Sequence, residues 1–168
     1  MQSLATGERH RLGRIGAVVA LAIATGVVVA PIALASPGSG TSSTIFGHRA
    51  ALSDDVQINE GRIKFKTKDP TDFQMQTITF SPGGYSGWHH HPGIIWVIVE
   101  SGAVTIYDEN CQAIKTVAAG NVFLESGNEP MLVRNEGTTN AVVYNAQVVP
   151  AGEQFREEDS PPACTLPS

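Results

Sequence analysis

Residues 83–102 read GGYSGWHHHPGIIWVIVESG, and this stretch decides the fold. Its residues 94–99 are apolar at every position, so both faces of a strand formed there have to be covered, unlike a sheet with one face in water. The odd-numbered residues of this run share one face and the even-numbered residues share the other. One set can fill an interior, while the second set meets either the N-terminal strand or another subunit, which makes a homodimer a hypothesis.

The rest of residues 45–150 has the same pattern of short apolar stretches separated by glycine, proline, asparagine and aspartate. No stretch of useful length there has helical periodicity. We predict strands at residues 61–67, 73–80, 87–91, 94–100, 103–107, 114–118, 121–124, 131–135 and 141–149. Short strands in this number and at this spacing predict an all-β sandwich or closed barrel.

Residues 1–35 have the layout of a secretory signal peptide. Three arginines precede an uncharged run from Ile15 to Ala35, which closes with Ala33-Leu34-Ala35. The alternative is an uncleaved transmembrane anchor, because about 20 apolar residues can cross a bilayer as a helix. Pro31 favours the signal peptide, since it shortens that helix. Both interpretations place the domain outside the cytoplasm, either secreted or anchored to the cell membrane.

The segments on either side of the predicted domain are polar. Residues 36–44 consist mainly of serine, threonine and glycine, and we predict a flexible linker there. Residues 151–168 are acidic and contain Pro161-Pro162, which predicts an irregular C-terminal tail pinned only through Cys164. The folded domain is therefore predicted to span residues 45–150.

The charge of the chain argues against nucleic acid as a partner. Without the three arginines and the one glutamate of residues 1–35, the chain keeps 8 basic and 15 acidic residues, a formal net charge of −7. An acidic domain has no basic stripe with which to bind phosphate backbones.

Cys111 and Cys164 are the only cysteines in the sequence. Two thiols in a domain exported to an oxidising compartment usually pair, so we predict a disulfide between them.

Three of the five histidines lie together in residues 88–92, which read WHHHP. On an extended strand, His89 and His91 point the same way and His90 points the opposite way. The imidazoles of His89 and His91 can therefore converge on one metal ion. Firm binding needs at least one further ligand, and in oxygen chemistry this is commonly a carboxylate.

This pattern resembles the first motif of the cupin family, which reads G, five residues, H-x-H, three or four residues, E, six residues, G. Gly83, His89, His91 and Gly102 match it in register. Of the second family motif only Gly120 and Asn135 are retained. The resemblance covers residues 73–149 and implies a cupin-type jelly-roll β-barrel.

Two ligand positions of the family are altered in this sequence. Ile95 stands where the family has its metal-binding glutamate, and Met131 stands where it has its last histidine. Neither side chain offers a carboxylate oxygen or an imidazole nitrogen. Glu125 and Glu129 flank the Met131 strand and can reach the mouth of a site, but loop carboxylates are more often simply solvated.

Three interpretations of the histidines remain open. His89, His91 and the Met131 thioether can form a soft site suited to copper. Alternatively, zinc or iron binds through His89, His91 and either a carboxylate that the sequence does not place or His90. In the third interpretation no metal is bound, and the histidines are either polar lining of a ligand pocket or interior groups with ordinary hydrogen-bond partners.

The altered ligands favour a protein that binds an unidentified small molecule, without catalysis, in a pocket near His89, His91 and Met131. One alternative is a metal-dependent cupin enzyme of the dioxygenase or isomerase type with a reduced ligand set. A second alternative is a structural or assembly module at the cell envelope.

Overall fold

The structure, a computed structural model, describes residues 36–166. The predicted export helix at residues 1–35 lies outside the described residues. Within residues 36–166 there are ten strands: β1 (Ser39–Leu52), β2 (Gln57–Glu60), β3 (Ile63–Lys66), β4 (Thr71–Tyr85), β5 (His89–Ser101), β6 (Ala103–Tyr107), β7 (Ala113–Ala118), β8 (Val122–Arg134), β9 (Ala141–Pro150) and β10 (Glu157–Glu158). In this part of the chain no helix has the length and apolar character needed to cross a membrane.

Eight of the strands form one antiparallel sheet, and β2 and β3 form a separate hairpin. The order in the large sheet is β1-β4-β9-β5-β8-β6-β7, with β10 paired to β5. A further pairing of β4 with β8, at Tyr85 and Arg134, joins the second and fifth strands of this path. The predicted all-β fold is therefore confirmed.

The apolar run of β5 fills the interior with its odd-numbered side chains. Ile95, Val97 and Val99 are buried and pack with apolar residues from the neighbouring strands. On the other face, Ile94 is 44% exposed and Ile98 is 47% exposed. β1 pairs with β4, so it does not cover this face. The homodimer stays a prediction.

Two pairs of predicted strands are each one continuous strand. The predicted break at Pro92 and Gly93 is an irregularity within β5, and the predicted break around Gly127 lies within β8, where φ is +95°. Only glycine fits at position 93, because a Cβ there would lie 2.0 Å from the carbonyl oxygen of Val148. Both irregularities adjoin His91, and bulges of this kind change the direction in which nearby side chains point.

The predicted flexible linker at residues 36–44 is wrong for its last six residues. Residues 39–44 belong to β1 and pair with β4 in a ladder that includes Thr41 opposite Phe80 and Ser43 opposite Ile78. Small polar residues carry no hydrophobic pattern, but threonine suits an exposed edge strand whose stability comes from backbone pairing.

The prediction of an irregular C-terminal tail pinned only through Cys164 is also wrong in part. β10 pairs Glu157 with His90 and Glu158 with His89. The carboxylate of Asp159 lies 2.8 Å from Nδ1 of His90, and its backbone N–H donates to the carbonyl oxygen of Trp88. These backbone and side-chain contacts hold the tail along the start of β5.

The predicted disulfide between Cys111 and Cys164 is present. Cys111 is buried in a small apolar cluster with Trp88, Tyr107 and Leu132, on the side of the sheet away from the main core. The bond closes a loop with a sequence separation of 53 residues and so fixes the tail to the barrel.

Removing this disulfide should lower the free energy of unfolding. For a loop of this length the chain-entropy model gives up to about 4 kcal/mol, because the unfolded chain regains the freedom that the bond removes. The measurement is urea unfolding of a double variant, Cys111→Ser with Cys164→Ser, beside the wild type with and without reductant. An unchanged unfolding midpoint in both comparisons would contradict the prediction.

Candidate metal centre

Three buried side chains converge inside the barrel. His89 and His91 project from the start of β5, and Glu125 projects from β8. They are 2%, 4% and 4% exposed, respectively, so none is a surface group. One ligand atom from each lies within 4.8 Å of the other two, close enough for a single ion to contact all three.

The hydrogen bonds of the two histidines fix which ring nitrogen carries the proton. Nδ1 of His89 lies 2.9 Å from the carbonyl oxygen of Gly87, and Nδ1 of His91 lies 2.6 Å from that of Phe155. A carbonyl only accepts, so both Nδ1 atoms donate. In the neutral rings Nε2 is then left with a free lone pair. Metal-binding histidines are commonly oriented in this way, with the second nitrogen donating to a backbone carbonyl.

When the imidazole of His91 is neutral, it offers no positive charge to the carboxylate of Glu125. Nε2 of His91 lies 3.1 Å from Oε2 of the carboxylate, yet this nitrogen has no hydrogen-bond partner within residues 36–166. A lone pair facing a carboxylate oxygen is unfavourable unless a cation lies between them. Either a proton on Nε2 or a metal ion supplies that cation.

The electrostatics of the site keep His89 neutral and Glu125 charged. Burial lowers the pKa of His89 to about 4, although the charge of Glu125 acts in the opposite direction. Burial alone would raise the pKa of Glu125, but contact with His91 and the charges of His89, His91 and Arg156 outweigh it and hold that pKa below its usual value. A neutral imidazole and an ionised carboxylate are the protonation states that bind metals.

The three residues border a cavity of about 210 Å³ inside the barrel. Its walls come from β1, β4, β5, β8, β9 and the tail. The lining residues are Thr41, Ser43, Gln76, Ile78, Phe80, Ser86, His89, His91, Val97, Phe123, Glu125, Val133, Val143, Asn145, Gln147 and Arg156. The cavity lining thus combines apolar side chains with amide, hydroxyl and charged groups.

The C-terminal tail supplies part of this site. Phe155 provides the carbonyl that orients His91. The next residue, Arg156, lines the cavity, donates to the carbonyl oxygen of Ser86 over 2.7 Å and forms an ion pair with Glu158. The tail therefore contributes to the wall and to the orientation of one ligand.

The structure brings together only some of the residues predicted for the site. His89 and His91 face the cavity as predicted, and His90 points away and pairs with Asp159. Met131 is half-buried opposite His89 in the β5–β8 ladder, but it is not among the residues that line the cavity. The predicted soft site with Met131 as a ligand therefore has no support in the cavity.

The interpretation of Glu125 as a solvated loop carboxylate is wrong. β8 continues through this position, and Glu125 lies directly opposite Ile95 in the ladder. The carboxylate therefore faces the interior from the neighbouring strand, beside the position where the family motif has its glutamate. Phe123 is also buried, so extending the inside–outside alternation of residues 121–124 by one position would have placed Glu125 inside.

The donor set suits zinc or iron. Two histidines and one carboxylate bind zinc in catalytic sites and bind iron(II) in oxygenases, and both arrangements leave coordination positions open. Here the two Nε2 lone pairs and the buried carboxylate provide that set.

Lowering the pH should destabilise the metal-free protein between the ordinary pKa of histidine, 6.5, and the lowered pKa of His89, about 4. In this window the unfolded chain takes up a proton that folded His89 does not, so the free energy of unfolding falls by up to about 3 kcal/mol. Urea unfolding of chelator-treated protein at pH 4 to 7.5 measures the effect.

His89→Gln should lose most of this pH dependence, whereas His48→Gln, which alters an exposed histidine on β1, should retain it. A wild-type free energy of unfolding that stays flat from pH 6.5 to pH 4 would contradict the argument.

Three solved structures illustrate the range of proteins that are similar in fold to this chain. A protein with a double-stranded β-helix domain from Klebsiella pneumoniae shares 18% identity over 51% of this chain and 73% of its own, with a TM-score of 0.45. An oxalate oxidase shares 20% identity over 47% of this chain and 46% of its own, with a TM-score of 0.39. A polyketide cyclase from Streptomyces resistomycificus shares 13% identity over 75% of this chain and 79% of its own, with a TM-score of 0.46. At these levels none of them assigns an activity to this chain.

No curated protein matches the chain significantly. Residues 76–147, which run from β4 to β9 and include all three converging side chains, match the family model of the cupin domain. This segment of the chain is therefore identified as a cupin domain.

Proposed function

We propose that this cupin is a metal-dependent enzyme that binds one zinc or iron ion through His89, His91 and Glu125 and acts on a small polar molecule in the adjoining cavity. The observation that carries the proposal is the convergence of two correctly oriented imidazoles on a buried, ionised carboxylate. This proposal replaces binding without catalysis as the preferred function, because the missing carboxylate is supplied from β8.

The three residues have separate tasks in such a site. The carbonyl groups of Gly87 and Phe155 hold the imidazoles in place, and Glu125 provides the negative charge. When bound, the ion would supply Lewis-acid chemistry or, in the case of iron, oxygen chemistry at its open positions. Val97 and Phe123 contribute apolar side chains to the lining of the cavity beside these residues.

Binding of a small molecule without catalysis is the second candidate function. The polar part of the cavity lining supports it, because amide and hydroxyl groups can hold a ligand in the absence of a metal. This candidate requires no ion, so the metal content of the protein separates the two.

The disulfide supports the proposal that the domain acts outside the cytoplasm. Disulfides persist mainly in oxidising compartments, and this one fixes the tail that completes the site. Export by the segment at residues 1–35 is part of the same proposal.

The purified protein should contain close to one zinc or iron ion per chain after exposure to the metal, and Glu125→Gln should lose most of it. Glutamine keeps the size of the side chain but removes the charge, and loss of one of three ligands should weaken binding at least tenfold. Elemental analysis after dialysis, with a competitive chelator titration, measures both.

The matched control is Glu129→Gln, which removes an exposed carboxylate on the same strand and should leave the metal content unchanged. A wild-type protein that holds no zinc or iron, or a Glu125→Gln variant that binds as tightly as the wild type, would leave binding without catalysis as the better description.

A further inference from the structure

Three amide side chains lie along the cavity wall beside the metal centre. Gln76 on β4 and Asn145 and Gln147 on β9 all line the cavity, and we call them the amide wall. Asn145 and Gln147 are 5% and 2% exposed, so their polar groups have been withdrawn from water.

The strand pairing places the amide wall in line with the metal ligands. Ile95 pairs with Glu125 on one side and with Gln147 on the other. Directly opposite residues of antiparallel strands share a face, so Glu125 and Gln147 both face the interior. Two strand spacings separate their Cα atoms, on the order of 10 Å along a flat sheet.

The hydrogen bonding of the amide wall is incomplete. Oδ1 of Asn145 is buried and has no hydrogen-bond partner within the described part of the chain. Nε2 of Gln147 lies 3.5 Å from Oε1 of Gln74, which is a weak contact. Buried amides that only fill space normally satisfy one another, whereas the Asn145 oxygen is unpaired and the Gln147 contact is weak, so both side chains are open to a further partner.

Charge and size restrict the partner further. A divalent ion with Glu125 as its only anionic ligand keeps a net positive charge, and the charge of Arg156 is already balanced by Glu158. An anionic oxygen group is therefore favoured at the open positions of the ion. The cavity of about 210 Å³ lies below the roughly 300–1,000 Å³ of typical ligand sites, which excludes large ring systems.

We propose that the amide wall selects a small hydroxylated carboxylate, whose carboxylate faces the metal centre and whose hydroxyl groups hydrogen-bond with Asn145 and Gln147. This inference rests on the proposed function, since the metal ion holds the carboxylate. A hydroxyl group both donates and accepts, so it matches amide groups that offer either role.

The test compares two acids of equal carbon number, glycerate with hydroxyl groups and propionate without them. Zinc-loaded protein should bind glycerate at least tenfold more tightly in calorimetric titration, because an acid without hydroxyl groups leaves the buried amides unpaired. Asn145→Leu should reduce this preference to less than threefold while the zinc content stays at the wild-type level.

Gln147→Met is the second variant and should reduce the preference in the same way, so the test does not depend on one substitution folding. Gln57→Met, on the exposed hairpin strand β2, is the matched control and should keep the full preference. Thermal unfolding identifies any variant that has lost its structure.

The outcomes separate this inference from the proposed function. If the wild-type protein holds neither zinc nor iron, the proposed function fails, and a remaining preference for glycerate in the metal-free protein still supports the amide wall. Equal affinity for the two acids, binding of neither acid, or an unchanged preference in the folded amide variants would overturn the inference.

Discussion

The antiparallel pairing of β5 with β8 is the constraint on which the site depends. It sets Ile95 opposite Glu125 and His91 opposite Gly127, with irregularities on both sides of His91. Because side chains alternate between faces, a slip of one residue would turn Glu125 outward and bring Leu124, which is 58% exposed, into the interior. The register is held by the burial of Ile95, Val97 and Phe123, so the packing of the core also fixes the position of the carboxylate.

The C-terminal tail extends this constraint from the core to the ligands. Its backbone pairs with the start of β5, and the carbonyl of Phe155 determines the ring orientation of His91. The disulfide joins the same tail to a separate apolar cluster that contains Trp88, the residue before His89. The site is thus held from the barrel interior on one side and from the tail on the other.

Much of the barrel was predictable because local sequence determines it. The interior face of β5, the hairpin at Gly102 and the pairing of Cys111 with Cys164 follow from side-chain alternation, turn chemistry and cysteine number. His89 and His91 followed from alternation as well. These features need only neighbouring residues or, for the cysteines, a count.

The features that the sequence did not predict depend on contacts between distant segments. Glu125 lies 30 positions beyond Ile95, and only the register of two strands relates them. Residues 39–44 lack an apolar pattern, so their strand exists through pairing with β4. The tail is similar, because its partners are backbone groups of β5. The spacing of a motif relates residues that are close in sequence. It therefore cannot predict a ligand residue that lies on a different strand from the family's glutamate.

The burial of Glu125 is itself an argument about function. Moving a carboxylate out of water is unfavourable, and apolar residues of similar volume often stabilise an interior as well as or better than a buried ion pair does. Its neighbour in the ladder, Ile95, shows that this barrel accommodates an apolar side chain at that depth. A charge maintained there faces one imidazole that burial keeps neutral and another whose Nε2 has no hydrogen-bond partner in the described chain. This arrangement supports the proposed cation site more than a role in stability alone.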